Sequence, residues 1–186
     1  ADLTKSLVQP YVPRFPRHVS YDLVLFGSWR RKGVYVGEKQ IASPGSYPVA
    51  GFNFAPMYNL NYKLRFGVSL DGVYDGSANV YTEDALVEYD AGSGSSRRKF
   101  LVPGIQNQLA LGLSGRAEYV MPFFTIGVGL GTNVLGRGDL RGLYQVFALK
   151  INVTRSSFLH IGYNLQDFQT PNYLMLGLGF RFNNKY

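Results

Sequence analysis

Apolar and polar residues alternate strictly through the stretch YKLRFGVSLDGVYD, residues 62–75. One face of this stretch would carry Tyr62, Leu64, Phe66, Val68, Leu70 and Tyr74, and the other Lys63, Arg65, Gly67, Ser69, Asp71 and Asp75. A period of two residues fits a strand, whose successive side chains point to opposite faces, and a helix cannot produce it. The pattern therefore predicts a strand with one apolar and one polar face.

The same two-faced pattern returns in seven further stretches of the chain. They are residues 19–30, 50–60, 105–118, 123–134, 143–154, 158–166 and 173–182. Pro56 lies inside the second stretch and argues against an ordinary central strand there, because proline cannot donate to the ladder. Taken together, the stretches predict an all-β protein with eight strands.

The predicted connections alternate in length along the chain. Tight turns are expected near residues 59–62, 118–122 and 154–157, long polar connections at 31–49 and 76–104, and shorter crossings at 135–142 and 167–172. An even strand number with short turns at one end and longer loops at the other is typical of an outer-membrane barrel. We therefore expect an eight-stranded antiparallel outer-membrane β-barrel with short periplasmic turns and longer extracellular loops. Residues 1–17 form its periplasmic N-terminal lead-in and residues 18–186 the transmembrane barrel.

The size of the apolar side chains decides which face points outward. The interior of an eight-stranded barrel is only just wide enough for side chains to fill. The large apolar residues would overfill it; they include Leu109, Leu111, Leu113, Leu159, Ile161, Tyr163, Leu165, Leu174, Leu176, Leu178, Phe180 and Phe182. Pointing them at lipid leaves a polar lumen, with a predicted network of Asp22, Arg65, Asp71, Arg116, Glu118, Lys150, His160 and Arg181. A soluble lipocalin-like barrel, with its apolar faces inward, is the alternative fold.

The amino-acid composition agrees with a barrel and argues against disulfides and several kinds of metal site. The 22 glycines, 14 tyrosines and 13 phenylalanines favour strands and turns. The chain has no cysteine, so it can form neither disulfides nor thiolate metal sites, and its two histidines give little support for zinc. No metal and no cofactor are expected. The first residues show no basic-then-apolar leader, and we expect a mature chain whose signal peptide has been removed.

The net charge of +7 is partly concentrated in two basic runs, WRRK at 29–32 and SSRRK at 95–99. Both fall at the predicted long-loop end of the barrel, where a solvated loop is one interpretation and contact with lipopolysaccharide phosphates is the other. The possible lipopolysaccharide contacts are Arg30, Arg31, Lys32, Arg97, Arg98 and Lys99. Nucleic acid is not an expected partner, because the other positive charges are spread through the lumen.

The C-terminal stretch FLHIGYNLQDFQTPNYLMLGLGFRF resembles the last strands of the outer-membrane lipid A deacylase and acyloxyacyl-hydrolase-like family. The stretches FNFAPMYNLNYKLRFGVSLDGVYDGSANV, QNQLALGLSGRAEYVMPFFTIGVGLG and YQVFALKINVTRSSFLHIGY are similar to its Bacteroidetes-type members. The resemblance covers most of the chain from about Arg17 onward. It implies an eight-stranded outer-membrane barrel and, in active members, a Ser-His-Glu triad.

Only one position of that triad is matched here. His160 corresponds to the family histidine, but Gly162 occupies the serine position and Tyr163 stands where an asparagine is expected. The family glutamate lies just beyond a Pro-Asn step, and here residues 173–176 after that step read Tyr-Leu-Met-Leu. Without a nucleophile, covalent acyl transfer cannot proceed however good the base is.

Replacement groups for the missing positions can be imagined. Asp167 would have to orient His160, and Ser156 or Ser157 would have to supply the nucleophile, yet these serines lie at the opposite end of the strand from Asp167. The glycines of GVGLG, Gly127 among them, resemble a dinucleotide fingerprint only superficially, and they suit a crowded barrel wall.

The sequence therefore predicts a non-catalytic outer-membrane β-barrel that acts as an accessory or structural subunit of a larger outer-membrane protein complex. Its expected partners are outer-membrane lipid, lipopolysaccharide and other outer-membrane proteins. The alternatives are a lipid A or phospholipid acyl hydrolase with a rearranged active site, and a lipopolysaccharide-binding barrel. Loss of deacylation on replacing His160 would support the hydrolase.

Overall fold

A computed structural model describes residues 14–30, 33–36, 39–42, 46–78, 81–82, 100–101, 104–136, 142–168 and 170–185. Its strands in chain order are β1 (His18–Arg30), β2 (Gly33–Val36), β3 (Lys39–Ala42), β4 (Tyr47–Asn59), β5 (Leu64–Asp75), β6 (Tyr81–Thr82), β7 (Phe100–Leu101), β8 (Leu109–Val120), β9 (Phe124–Gly136), β10 (Leu143–Asn152), β11 (Ser157–Gln166) and β12 (Thr170–Phe182). No helix in the described ranges is long and apolar enough to cross a bilayer.

Eight of these strands close into one antiparallel barrel in the order β1-β12-β11-β10-β9-β8-β5-β4. The last strand closes the barrel on the first, with a continuous register from Tyr21 opposite Phe182 to Gly27 opposite Leu176. Closure pairs the backbone groups that an open sheet edge would expose to lipid. The predicted eight-stranded barrel is confirmed. The pairs β2-β3 and β6-β7, which lie in the long connections, were not predicted.

The two faces of each strand are as unlike as the alternation predicted. Along β1 the side chains of Ser20 and Asp22 are fully buried, whereas Leu25 is 53% exposed and Trp29 is 77% exposed. The same alternation of buried and exposed positions runs through β8, β9 and β11. The apolar faces therefore point away from the lumen, which excludes the lipocalin-like arrangement.

Most strand limits differ from the predicted ones by one to four residues, and the largest difference is at the start of β8. Ile105–Asn107 is a 3-10 helix, and β8 begins only at Leu109. The backbone N–H of Asp75 donates to the carbonyl of Gln108 at 3.0 Å, and the Gln108 amide donates to the Gly76 carbonyl at 3.1 Å, so this turn packs against the end of β5. Ile105 is followed by three residues with amide side chains, so this segment has no apolar face to bury. The predicted start of the strand at residue 105 was therefore wrong. At the other limits, β10 ends at Asn152, and β12 begins at Thr170.

Pro56 is accommodated inside β4 without ending the strand. It pairs with Tyr21 on the β1 side, while the ladder to β5 passes from Phe54 opposite Leu70 to Met57 opposite Gly67. Residue 67 is a glycine at the point where an added Cβ would overlap the Pro56 carbonyl. The missing donor of proline is thus confined to one side of the strand.

Candidate functional site in the barrel lumen

The lumen contains a compact group of paired charges toward the end of the barrel that carries the tight turns, here called the Asp22 cluster: Asp22, Arg65, Glu118, Lys150 and Arg181. Arg65 Nη2 lies 2.7 Å from Asp22 Oδ2, Lys150 Nζ lies 2.8 Å from the same oxygen, and Arg181 Nε lies 2.9 Å from Asp22 Oδ1. Glu118 binds Arg65 and lies 2.6 Å from Lys150 Nζ. Five residues from five different strands are therefore joined across the barrel in one network.

A second polar group surrounds Asp71 on the neighbouring wall. Arg116 Nη2 donates to Asp71 Oδ1 at 2.8 Å, and Tyr144 donates its hydroxyl hydrogen to Asp71 Oδ2 at 2.7 Å. Further donors are Asn53 at 2.7 Å, Ser69 at 2.6 Å and Ser114 at 2.6 Å. Together the five donors occupy both oxygens of the buried Asp71 carboxylate, which is therefore held rigidly.

The alternating glycines of β9 explain how such long side chains fit. An added Cβ on Gly127 would lie 3.2 Å from Glu118 Cγ, and one on Gly129 would lie 2.6 Å from Arg116 Cδ. Gly131 faces the Tyr144 ring and Ser114 in the same way. These glycines give the polar side chains of β8 and β10 the space to cross the lumen.

His160 lies in the lumen, at 3% exposure, and differs from the other predicted network residues. Neither ring nitrogen has a hydrogen-bond partner among the described protein groups. The ring lines an internal cavity of about 20 Å³ together with Asn53, Arg116, Glu118 and Lys150. That volume has room for about one water molecule. The imidazole points into the lumen, away from the lipid-facing side of β11.

The groups that a hydrolase would need beside His160 are elsewhere. Gly162 is the next residue on the same face, and a Cβ there would lie 2.7 Å from His160 Nε2 and 2.7 Å from Met175 Cε. Ser157 shares a hydrogen bond of 2.8 Å with Thr154 in the turn. Asp167 is exposed after the end of β11, and its backbone N–H donates to Leu143. No described nucleophile is bonded to the imidazole.

Replacing His160 by leucine is expected to change the free energy of unfolding by less than about 1.5 kcal/mol, the usual range for volume-conserving core substitutions. The reason is that no described protein group loses a hydrogen bond or an ion pair. Urea unfolding of the refolded barrel in detergent micelles measures the effect. A much larger loss of stability would mean that the imidazole has a partner in the adjoining cavity.

Of the possible lipopolysaccharide contacts predicted at the long-loop end, the structure describes the side chain of Arg30. Arg30 is directed into the barrel rim: its Nε donates to Ser77 Oγ at 2.6 Å, and Nη1 lies 3.3 Å from Asp75 Oδ2. Arg31, Lys32 and residues 97–99 lie outside the described residues. Lipopolysaccharide contact at these positions stays a prediction.

In the described ranges, no group of histidine and acidic side chains could hold a metal ion.

Sequence reasoning missed several partners of Asp71. Tyr144 is only 1% exposed, although a tyrosine is easily assigned to the apolar face. The alternation of faces along the strand could have identified it. Residues 144 and 150 lie on the same face of β10, and Lys150 was predicted to be lumenal. The same argument applies to Ser114, which shares its face with Arg116.

Comparison with known proteins gives a family and a set of similar barrels. The family profile for acyloxyacyl hydrolase, C-terminal domain, matches residues 19–184. A search of curated proteins gave no match. Among solved structures, Ail, the attachment invasion locus protein of Yersinia pestis, is 13% identical at a TM-score of 0.46, covering 88% of this chain and 98% of Ail. Its complex with the heparin analogue sucrose octasulfate gives 14% identity and a TM-score of 0.43 at the same coverage. Neisserial surface protein A is 14% identical at a TM-score of 0.39, covering 89% of this chain and 96% of that protein.

The family match spans nearly the whole barrel, from the second residue of β1 to just beyond the end of β12. It agrees with the closed eight-stranded architecture and with the apolar outer wall. The chain therefore belongs to the acyloxyacyl hydrolase, C-terminal domain family, as an eight-stranded outer-membrane β-barrel similar to the lipid A deacylases.

Proposed function

We propose that this barrel is a non-catalytic member of its family that works as an accessory or structural subunit of a larger outer-membrane protein complex. The observation that carries the proposal is the environment of His160. This residue is the single family triad match, it is buried in the lumen, and glycine stands at the serine position on the same face. A base without a nucleophile and without access to lipid cannot support acyl transfer.

The lumen argues against a transport function in the same way. The lumen is filled by the Asp22 cluster and by Asp71 with its donors, and the cavity beside His160 measures only about 20 Å³. An eight-stranded barrel packed with side chains has no aqueous channel. With neither catalysis nor conduction supported, contact with other molecules is the remaining role for the fold. The proposed contact surfaces are the lead-in 1–17 and the connection 76–104.

The test is mild detergent extraction of the protein from its native outer membrane, followed by affinity purification, mass spectrometry of the bound proteins, and mass analysis of lipid A from the same cells. We expect reproducible co-purification with larger outer-membrane proteins and the same lipid A acyl pattern with and without the barrel. Both results follow from a barrel that binds partners and in which no described nucleophile is bonded to His160.

His160→Ala is the matched variant for the competing hydrolase function. If the wild-type barrel shortens lipid A and His160→Ala does not, the protein is an acyl hydrolase with a rearranged site. A barrel that is monomeric in gently extracted native membranes and leaves lipid A unchanged would contradict the accessory role.

A further inference from the structure

The end of the barrel that carries the tight turns is strongly basic. Residues 14–17 precede β1 here, the turns at 60–63, 121–123 and 153–156 lie at the same end, and the chain returns to it after β12. Among the described residues, five cations are exposed on it: Arg14, Arg17, Lys63, Arg155 and Lys185. We call this set the turn-end basic surface.

These cations are not neutralised by neighbours in the described part of the chain. None of the five side chains forms an ion pair or a hydrogen bond there. The described carboxylates are elsewhere: Asp22 and Glu118 are buried and paired in the lumen, and Asp71, Asp75 and Asp167 lie in the lumen or at the far end. Unpaired charges of one sign raise the local concentration of opposite charges in solution.

An open cavity of about 510 Å³ lies at the centre of this surface. Its polar lining comes from Lys63, Arg155, Arg181, Asn152 and Asn184. Its apolar lining comes from residues of the turns, including Tyr62, Val120, Met121, Pro122 and Val153. The volume falls within the range of about 300–1,000 Å³ that is usual for ligand sites, and convergent polar groups on a partly apolar wall are their usual composition.

We propose that the turn-end basic surface and its cavity bind an acidic peptide segment of a partner protein, which would make this the docking site of the accessory role proposed above. Clustered cations with no exposed acid beside them in the described residues fit carboxylates. The Asn152 amide, and the second N–H of the Asn184 amide whose first donates to the Arg155 carbonyl at 3.2 Å, can donate to a peptide backbone. The exposed rings and aliphatic groups of Tyr62 and Val153 give the segment apolar contact.

The position of the cavity favours a peptide over the phosphate of a membrane lipid. Arg181 lines it and is bonded to Asp22 inside the lumen, so the cavity is the mouth of the barrel and lies within the ring of turns. A segment in the aqueous phase reaches that mouth directly, whereas a headgroup of the surrounding leaflet would have to extend over the rim. In the ordinary orientation of such barrels, the short turns face the periplasm.

The experiment measures binding of a short fluorescent glutamate-rich peptide to the purified full-length barrel in neutral-lipid nanodiscs by fluorescence anisotropy. A peptide with glutamine in place of every glutamate is the reference. We expect the glutamate peptide to bind at least about tenfold more tightly than the reference, with an affinity that falls as salt is added. The variant Lys63→Glu/Arg155→Glu should lose this preference, and Lys63→Arg/Arg155→Lys should keep it.

Charge reversal of Arg137 and Arg141, in the connection between β9 and β10 at the opposite end of the barrel, changes the net charge equally and is the matched control, expected to leave peptide binding unchanged. Equal binding of the two peptides, or equal loss in the control, would overturn the proposal. Binding to nanodiscs that contain phosphatidylglycerol, without preference for the glutamate peptide, would assign the surface to lipid headgroups instead.

Co-purification from native membranes separates this proposal from the accessory role. If the wild type and Lys63→Glu/Arg155→Glu retain the same outer-membrane partners, the accessory role stands and the docking site is wrong. If the wild type retains none, the accessory role fails, while peptide binding still decides whether the surface recognises acidic segments.

Discussion

Replacing Asp22 by asparagine is expected to lower the free energy of unfolding of the barrel by about 3–5 kcal/mol, the cost of removing one partner from a buried ion pair. Asp22 is fully buried and binds Arg65, Lys150 and Arg181 at 2.7–2.9 Å. The Asp22 cluster contains one more cation than carboxylate, and the substitution raises this excess to two. Arg65 and Lys150 then share Glu118, and Arg181 loses the carboxylate that it binds in the described structure.

Urea titration of the refolded protein in detergent micelles measures this loss, with the electrophoretic shift between folded and unfolded barrel as the signal. Asp167→Asn removes an exposed carboxylate without an ion pair in the described structure and is expected to change stability by less than about 0.5 kcal/mol. Adding Lys150→Met to Asp22→Asn returns the charge excess to one and should recover part of the loss. If Asp22→Asn unfolds at the same urea concentration as the wild type, the cluster does not hold the strands together.

Replacing Gly177 by alanine is expected to destabilise the barrel by about 1–3 kcal/mol or more, as overpacking of a close-packed site does. An added Cβ at this position would overlap the Leu25 carbonyl and lie 2.8 Å from Phe26 Cα. Both obstacles are backbone atoms of β1, which cannot rotate away. The clash lies at the β1-β12 seam, where the barrel closes.

Gly27→Ala is the control for this substitution at the same seam. Gly27 pairs with Leu176, next to Gly177, and an added Cβ there meets nothing within 4 Å. It should be neutral or stabilising by up to about 1 kcal/mol, because alanine restricts the unfolded chain. The two variants are compared by urea midpoint and by the yield of heat-modifiable folded barrel. Equal behaviour of both would mean that the seam tolerates side chains at Gly177.

The strand pattern and the lumen composition could be predicted from the sequence. Alternation with a period of two has one structural explanation, and the bulk of the leucines and aromatics on one face cannot fit inside eight strands. These two facts predict both the closed barrel and its polar interior. The state of the triad positions could also be predicted from the sequence, since a glycine at residue 162 has no nucleophilic atom in any conformation.

The partners inside the lumen could not be predicted in the same way. Parity places Asp22 and Lys150 on inner faces, but their contact depends on the register and tilt that bring β1 and β10 opposite each other across the barrel. The same holds for Tyr144 and Asp71, which are joined through the space left by Gly112 and Gly131.

Strand number, the direction of each face and the lack of a serine two residues after His160 all follow from the order of residues along the chain. Three further features became visible with the closed barrel: His160 has no described protein partner, Arg30 is held by Asp75, and cations of the turns line one cavity. The physical reason is that alternation is a local property of the chain. Pairing, cavities and surface charge depend on distances between strands that closure alone sets.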